Sequence, residues 1–285
     1  MGTTIAIVGG GSRGAGRGIA LALGDTGATV YVAARTSKQG ARPGDQAPGT
    51  VEETADEVTA RGGCGIPVRV DLSDSDQVAA LFERVAQEQG RLDVLANAAW
   101  GPQCMPVWSK PFWELEPALW DETLCTFNAY WLTSVYAARL MIKQGHGLIV
   151  HVTDNLYPDP SAYREQILYD LGHEFINRLI LNLSHGLKES RVAAVGLNPG
   201  FMRTERVLLH MKTEALKRQF RFDLSESPEY LGRAVAALAA DPEVFRRSGQ
   251  LLWVSDLALE YGFTDIDGRR IPRFDPTAPL QAFPC

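Results

Sequence analysis

The sequence predicts an α/β protein, a doubly wound parallel sheet with helices on both faces. Three observations predict it. Short β-rich runs alternate with helical patterns along all 285 residues. The first run, Ile5-Ala6-Ile7-Val8, leads through a glycine turn directly into a helical pattern, which is how a βαβ unit opens. No internal repeat, low-complexity tract or linker divides the chain, so residues 1–285 read as a single domain.

Taken in order, Ile5 to Val8 is the first strand, and Ile19, Ala20, Leu21 and Leu23 mark the helix after the turn. Thr29 to Ala34 is the second strand. Residues 36–50 are rich in Gly, Pro and Ser and read as an extended loop. Thr50 with Glu53 forms a capping box that opens a helix running to about Arg61. A third strand follows at Val68 to Asp71, then a helix over 77–89 and a fourth strand over 92–96. Residues 100–120 are irregular and aromatic; most of Trp100, Trp108, Phe112, Trp113 and Trp120 are expected to pack beneath that segment. Helices over 121–143 and 167–188 flank a fifth strand at Leu148 to Val152. A sixth strand spans Ala193 to Leu197 and a last one Gln250 to Val254, with a helical stretch over 205–222 between them.

Composition narrows the function. With 45% hydrophobic and 22% charged residues the chain can bury a core, which excludes disorder. A net charge of -6 gives no electrostatic ground for a nucleic-acid or anionic-membrane partner. The apolar run near the N-terminus is too short for a signal or a span, so a cytoplasmic protein is expected. Cys64, Cys104, Cys125 and Cys285 form no C-x-x-C pair, so neither a metal site nor a disulfide framework is expected.

Gly10, Gly14 and Gly16, with Ser12 and Arg13 between them, stand where backbone must turn tightly and admit a pyrophosphate to a helix N-terminus. This makes the fold Rossmann-type. Cofactor choice follows from charge. A carboxylate at the end of the second strand would repel a 2′-phosphate, but that position is Ala34, followed by Arg35, and Arg13 lies in the turn. Two guanidiniums and no carboxylate favour NADP(H), with Lys38 and Arg42 as further cations in the loop.

The spacing G-x-x-x-G-x-G resembles the short-chain dehydrogenase/reductase family, and further segments match along nearly the whole chain. Asp71 corresponds to the family's adenine-contacting Asp, and Asn97-Ala98-Ala99-Trp100 occupies its N-N-A-G segment. Pro199-Gly200, with Thr204 beyond, matches the P-G-x-x-x-T loop that borders nicotinamide. Ser248-Gly249 through Asp256 to Tyr261-Gly262 looks like the family's last strand and tail. The loop ending Pro48-Gly49-Thr50 and the segment 265–269 are similar to a branch of the dehydrogenase/reductase member 1 type. The family usually associates through the helices over 121–143 and 167–188, so the resemblance implies a homo-dimer or homo-tetramer.

The resemblance also implies catalytic positions, and there the chain departs from the pattern. Tyr169 falls at the family's Tyr and His173 at its Lys, four residues on and on the same helix face. Asp154 falls at the Ser and Thr126 at the Asn, with Asn128 available in another register. Tyr157 and Tyr163 are further phenols without a helical partner four residues on. A histidine, mostly neutral at pH 7, is a poor substitute for a permanent cation beside a phenol. An ionised Asp154 opposes phenolate formation while favouring a charged His173. Tyr169 can therefore donate a proton to a carbonyl during reduction but is a poor base for oxidising an alcohol. Three readings remain open: an NADPH-dependent reductase of a small apolar carbonyl compound; a dehydratase, isomerase or cyclase working through Asp154, Tyr169 and His173; and a catalytically silent NADP-binding protein. Leu208, Met211 and Leu216 suggest an apolar lid, and Trp100 is expected to narrow the space near the nicotinamide.

Overall fold

The computed structural model describes residues 3–39, 47–101, 111–154 and 167–273. Seven parallel strands form one sheet in the order β3-β2-β1-β4-β5-β6-β7: β1 Ile5–Gly9, β2 Thr29–Ala34, β3 Cys64–Arg69, β4 Val94–Asn97, β5 Gly147–Val152, β6 Val192–Asn198 and β7 Leu251–Trp253. The helices are α1 Gly14–Asp25, α2 Val51–Ala60, α3 Ser75–Gln89, α4 Ala118–Gln144, α5 Ile167–Gly186, α6 Glu205–His210, α7 Glu214–Gln219, α8 Pro228–Ala240 and α9 Val254–Tyr261.

Strand pleating explains the two layers. Successive side chains of β1 point to opposite faces. Ala6 and Val8 join one apolar cluster with Ile19 and Leu23 of α1 and Val235 of α8. Ile5 and Ile7 join a second with Leu81 and Val85 of α3 and Met141 of α4. Both faces are dry, so the strands read as continuous apolar runs.

The helix ends follow local chemistry. The Thr50 side chain accepts from the Glu53 amide, as the capping box requires. Asp74 caps α3 two residues earlier than the spacing suggested. The third strand lies at Cys64–Arg69 rather than 68–71, because its register is set by pairing with β2, Thr29 against Cys64 and Ala34 against Arg69. The stretch over 205–222 is two short helices, broken at Met211 to Thr213 where Thr213 caps α7. α8 is an element the periodicity did not single out, although Ser227 caps it and Pro228 opens it. It lies against α1 through Gly18 and Gly232: a Cβ on Gly18 would strike the Pro228 backbone, and one on Gly232 the Gly18 carbonyl. Gly18 thus serves helix packing, not the turn before it.

The strand register aligns the functional loops. Gly9 pairs with Ala33 and Asn97, Asn97 with His151, and Val152 with Leu197. The segments that follow β1, β4, β5 and β6 therefore emerge along one sheet edge. The order reverses between β1 and β4, which is where ligands of such sheets bind.

Candidate active site

The glycine turn closes on itself. Gly10 adopts φ of 76°, and a Cβ there would meet the backbone of Ala98 and Ala99 at 2.8 Å. A Cβ on Gly16 would strike the Gly10 carbonyl. The turn so delivers the amide of Gly14, at the start of α1, into the cleft, where it donates to the Glu205 carboxylate at 2.7 Å. Ser12 is buried within the turn. A backbone amide at a helix start that already takes a carboxylate is a fit place for a pyrophosphate.

The two arginines divide their work. Arg13 caps nothing with its own side chain but reaches across to the Ala47 carbonyl and the Thr36 hydroxyl, both at 2.9 Å. It braces the loop between β2 and α2. Arg35 is exposed at the end of β2, and its guanidinium has no partner among the described residues. Lys38 pairs with Asp56 at the surface, and Arg42 lies outside the described residues.

Asp71 follows β3 and accepts from both the amide and the hydroxyl of Ser73, an Asx turn that fixes its carboxylate. Asn97 is fully buried. Its amide group donates to the Thr133 hydroxyl at 2.9 Å, and its carbonyl accepts from the Ala99 amide. Asn97 so ties the end of β4 to α4 and shapes the Ala98-Ala99 segment against which Gly10 packs.

The β5–α5 edge carries the side-chain chemistry. The Tyr169 hydroxyl donates to the Asp154 carboxylate at 2.7 Å. The Asp154 amide donates to Nδ1 of His173 at 2.9 Å, with the Thr153 hydroxyl 3.4 Å from the same nitrogen. An N–H can only donate, so Nδ1 is an acceptor, and in the neutral ring the hydrogen sits on Nε2. The contact of residue 154 with His173 runs through its backbone, whereas the sequence suggested its carboxylate. Trp100 lies face to face with His173, ring centres 4.3 Å apart and planes at 13°, and edge-on to Tyr169 at 5.5 Å. The indole covers the His173 imidazole itself. Thr126 is buried on the inward face of α4 with Tyr130 and Thr133, whereas Asn128 is exposed. The two residues thus lie on opposite faces of the helix.

A second histidine stands behind the site. His151 of β5 is fully buried, its Nε2 2.9 Å from the Ser134 hydroxyl, and burial pushes it down to about 3. It belongs to the core.

The loop after β6 borders the cleft. Pro199 and Gly200 are half-buried, and Thr204 caps α6 by accepting from Val207. Beneath them lies Glu226, buried, taking the Gly200 amide on its carboxyl. Met202 pairs with Glu226 in an isolated bridge, and Arg203 binds the buried Asp265 at 3.0 Å. This network closes the root of the apolar segment carrying α6 and α7. Sequence reading did not reach Glu226, Glu205 or Gly172, which lie outside a recognisable motif spacing; Arg203 and Asp265 fall inside the 199–204 and 265–269 segments, but neither spacing announced their pairing.

Several anticipated residues lie elsewhere. Phe112 and Trp113 are 58% and 73% exposed, not packed beneath their loop. Trp108, Cys104, Tyr157, Tyr163 and Cys285 lie outside the described residues. Cys64 and Cys125 are free and exposed. Among the described residues no group of three metal-ligating side chains gathers, and no helix is long and apolar enough to cross a membrane.

A parallel sheet with a glycine turn at its switch point, and a Tyr169–Asp154 pair beyond the end of β5 in the same sheet, defines a dinucleotide-binding α/β fold. Residues 4–214 match the short chain dehydrogenase family. The chain is 39% identical over 278 residues to mouse dehydrogenase/reductase SDR family member 1, covering 94% of this chain and 84% of that protein. The human protein of the same name is 38% identical over 282 residues, covering 95% and 86%. Among solved structures, a short chain dehydrogenase from Mycobacterium thermoresistibile superposes with a TM-score of 0.78 at 23% identity, covering 96% of this chain and 92% of that one. YwfH, an NADPH-dependent reductase of bacilysin biosynthesis, superposes with a TM-score of 0.70 at 24% identity, covering 88% and 96%. The chain belongs to the short-chain dehydrogenase/reductase family, oxidoreductases that use a nicotinamide cofactor. Within that family it is of the SDR family member 1 branch.

Proposed function

We propose that the protein is an NADP(H)-dependent reductase of a small, apolar carbonyl compound, with Tyr169 as the proton donor. The observation that carries this reading is the hydrogen bond from the Tyr169 hydroxyl to the Asp154 carboxylate, at the sheet end where the glycine turn also lies. The dinucleotide would supply hydride. In this reading Gly10, Ser12, Gly14 and Gly16 form its pyrophosphate cradle, and Asp71 contacts the adenine. Pro199, Gly200 and Thr204 flank the nicotinamide, and Asn97 acts by holding the 98–100 segment in place. Arg35 is the cation available to a 2′-phosphate, and Arg13 fixes the loop beside it.

The remaining chemistry belongs to this chain's side chains. A carboxylate on the phenolic hydrogen keeps Tyr169 neutral, the form that donates to a carbonyl oxygen and not the form that accepts from an alcohol. His173, with its hydrogen on Nε2, presents a neutral donor where the family's ammonium would stand. Thr126, buried on α4, is the further supporting residue in this reading. Leu208 and Leu209, exposed on α6, give the lid an apolar face. Leu124, Trp131 and Ile142 of α4 and Leu171 and Leu181 of α5 are also exposed, as a homo-dimer or homo-tetramer built on these helices would require.

The test is NADPH consumption across a panel of apolar aldehydes and ketones. Tyr169→Phe should lower turnover at least about a hundredfold while leaving NADPH affinity within about twofold. The Asp154–Tyr169 hydrogen bond also favours a second reading, a non-redox acid–base enzyme in which Asp154 is the base. Turnover of a substrate with no change in NADPH absorbance would select it.

A further inference from the structure

Trp100 stands where the family resemblance places a glycine, and the site has been shaped around it. Its indole lies flat on the His173 ring, 4.3 Å between centres, and edge-on to Tyr169. The same indole touches α5 at Gly172, where a Cβ would come within 2.9 Å of its Cη2. Gly172 is thus the gap that lets an indole reach the imidazole. On its other side Trp100 follows Ala98 and Ala99, pinned by Asn97 and packed against Gly10. The residue is fixed from both ends.

We propose that Trp100 is a positioning residue, holding the His173 ring in the one orientation in which Nδ1 accepts from the Asp154 amide and Nε2 carries the hydrogen. A bare imidazole on a helix turns about its χ2 through a broad, roughly two-fold well. Turning it over would bring a carbon to the Asp154 amide and leave a half-buried donor unmet. Stacking on a flat indole leaves the ring in plane, and the edge contact of Trp100 with Tyr169 fixes the phenol beside it. Two influences on the ring oppose each other. An indole face favours a charged imidazolium, but charging Nδ1 would set N–H against the N–H of Asp154, breaking one bond and leaving two donors facing. The second outweighs the first, because the donor clash is half-buried and the indole interacts well with the neutral ring too. The catalytic helix therefore carries a neutral donor in place of a cation.

The inference concerns how the catalytic pair of the proposed reductase is held, but its test is independent of turnover. The nitrogen resonances of the imidazoles, read by long-range proton–nitrogen correlation in the cofactor-free protein at pH 7, report each ring's tautomer. The chain has five histidines, and the His173→Asn spectrum assigns the signal in question. His173 is expected to show a protonated Nε2 and a bare Nδ1. Trp100→Phe, which keeps a flat ring, should preserve that pattern. Trp100→Leu, which keeps bulk without a face, should mix the two tautomers to roughly comparable populations. Gly172→Ala, whose Cβ pushes the indole aside while leaving Trp100 itself unsubstituted, should do the same even where Trp100→Leu folds poorly. With an active carbonyl substrate in hand, Trp100→Leu should lower kcat about tenfold to a hundredfold while Trp100→Phe stays within about threefold. An unchanged His173 spectrum in both Trp100→Leu and Gly172→Ala overturns the proposal. A locked ring in a protein that never oxidises NADPH would remove the reductase reading and leave this inference standing.

Discussion

The two halves of the cleft are built from different materials. The β1–α1 turn is made of backbone: Gly10 and Gly16 matter because they lack a Cβ, and the group presented to a ligand is the Gly14 amide. The β5–α5 edge is made of four residues from three segments: Trp100 after β4, Asp154 after β5, and Tyr169 and His173 on α5. A backbone site tolerates little variation, since any side chain fills it. A side-chain site can exchange its members while the scaffold stays the same, and the family resemblance puts His173 and Asp154 where that family has Lys and Ser. The chain is therefore conventional where it should bind the dinucleotide and unconventional where it should use it.

The comparison can be broken most decisively at the turn. Gly16→Val drives side-chain carbon into the Gly10 carbonyl, so NADPH affinity measured by calorimetry should fall at least about a hundredfold, with a loss of about 1–3 kcal/mol in stability. Near-normal binding would mean that the turn does not cradle the dinucleotide.

The next effect lies at the root of the lid. Burial, with the Asp265 carboxylate nearby, pushes the Glu226 carboxyl up to about 8 from an ordinary 4.5, against the pull of the Gly200 amide and Arg203. Between those values the unfolded chain releases a proton that the folded protein keeps. Stability contributed by Glu226 is thus full below about pH 4.5 and is lost as pH rises toward 8. Glu226→Gln should flatten that decline, gaining roughly a few kcal/mol over the wild type by pH 8 in denaturant titrations. Parallel pH curves for the two proteins would contradict this. His151 gives the opposite sign: pushed down to about 3, its contribution is lost as pH falls below its ordinary value of 6.5.

Cofactor choice should show a smaller change. Arg35→Asp replaces the available cation with a carboxylate and should shift the NADPH-to-NADH affinity ratio toward NADH by about tenfold or more. The smallest effect concerns Glu205, whose carboxylate takes the amide that a pyrophosphate would claim. Glu205→Gln should tighten NADPH binding by about threefold to tenfold, most clearly at low salt. Weaker binding would show that Glu205 assists the dinucleotide rather than competing with it.

Legibility followed the same division. The turn, the Thr50–Glu53 cap and the buried strands are encoded within a few consecutive residues, so their spacing alone announced them. Tyr169 and His173 were legible because four residues along a helix return to one face. The register of β3 was not, because pairing with β2 decides it and alternating small residues leave the choice open locally. The exposure of Phe112 and Trp113 was equally hidden, since an aromatic side chain does not announce whether something will cover it.

By itself the sequence determined the alternation of strands and helices about one parallel sheet and the glycine turn, because these depend on local backbone freedom and short-range periodicity; the family resemblance, not periodicity, pointed to Tyr169. Only the tertiary structure decided that Trp100 would lie on His173, that an amide rather than a carboxylate would meet Nδ1, and that Glu205 would reach Gly14. Those contacts join residues 19 to 191 positions apart along the chain. Nothing in local chemistry fixes such a meeting; it comes from the sheet register that brings the ends of β1, β4, β5 and β6 to one edge.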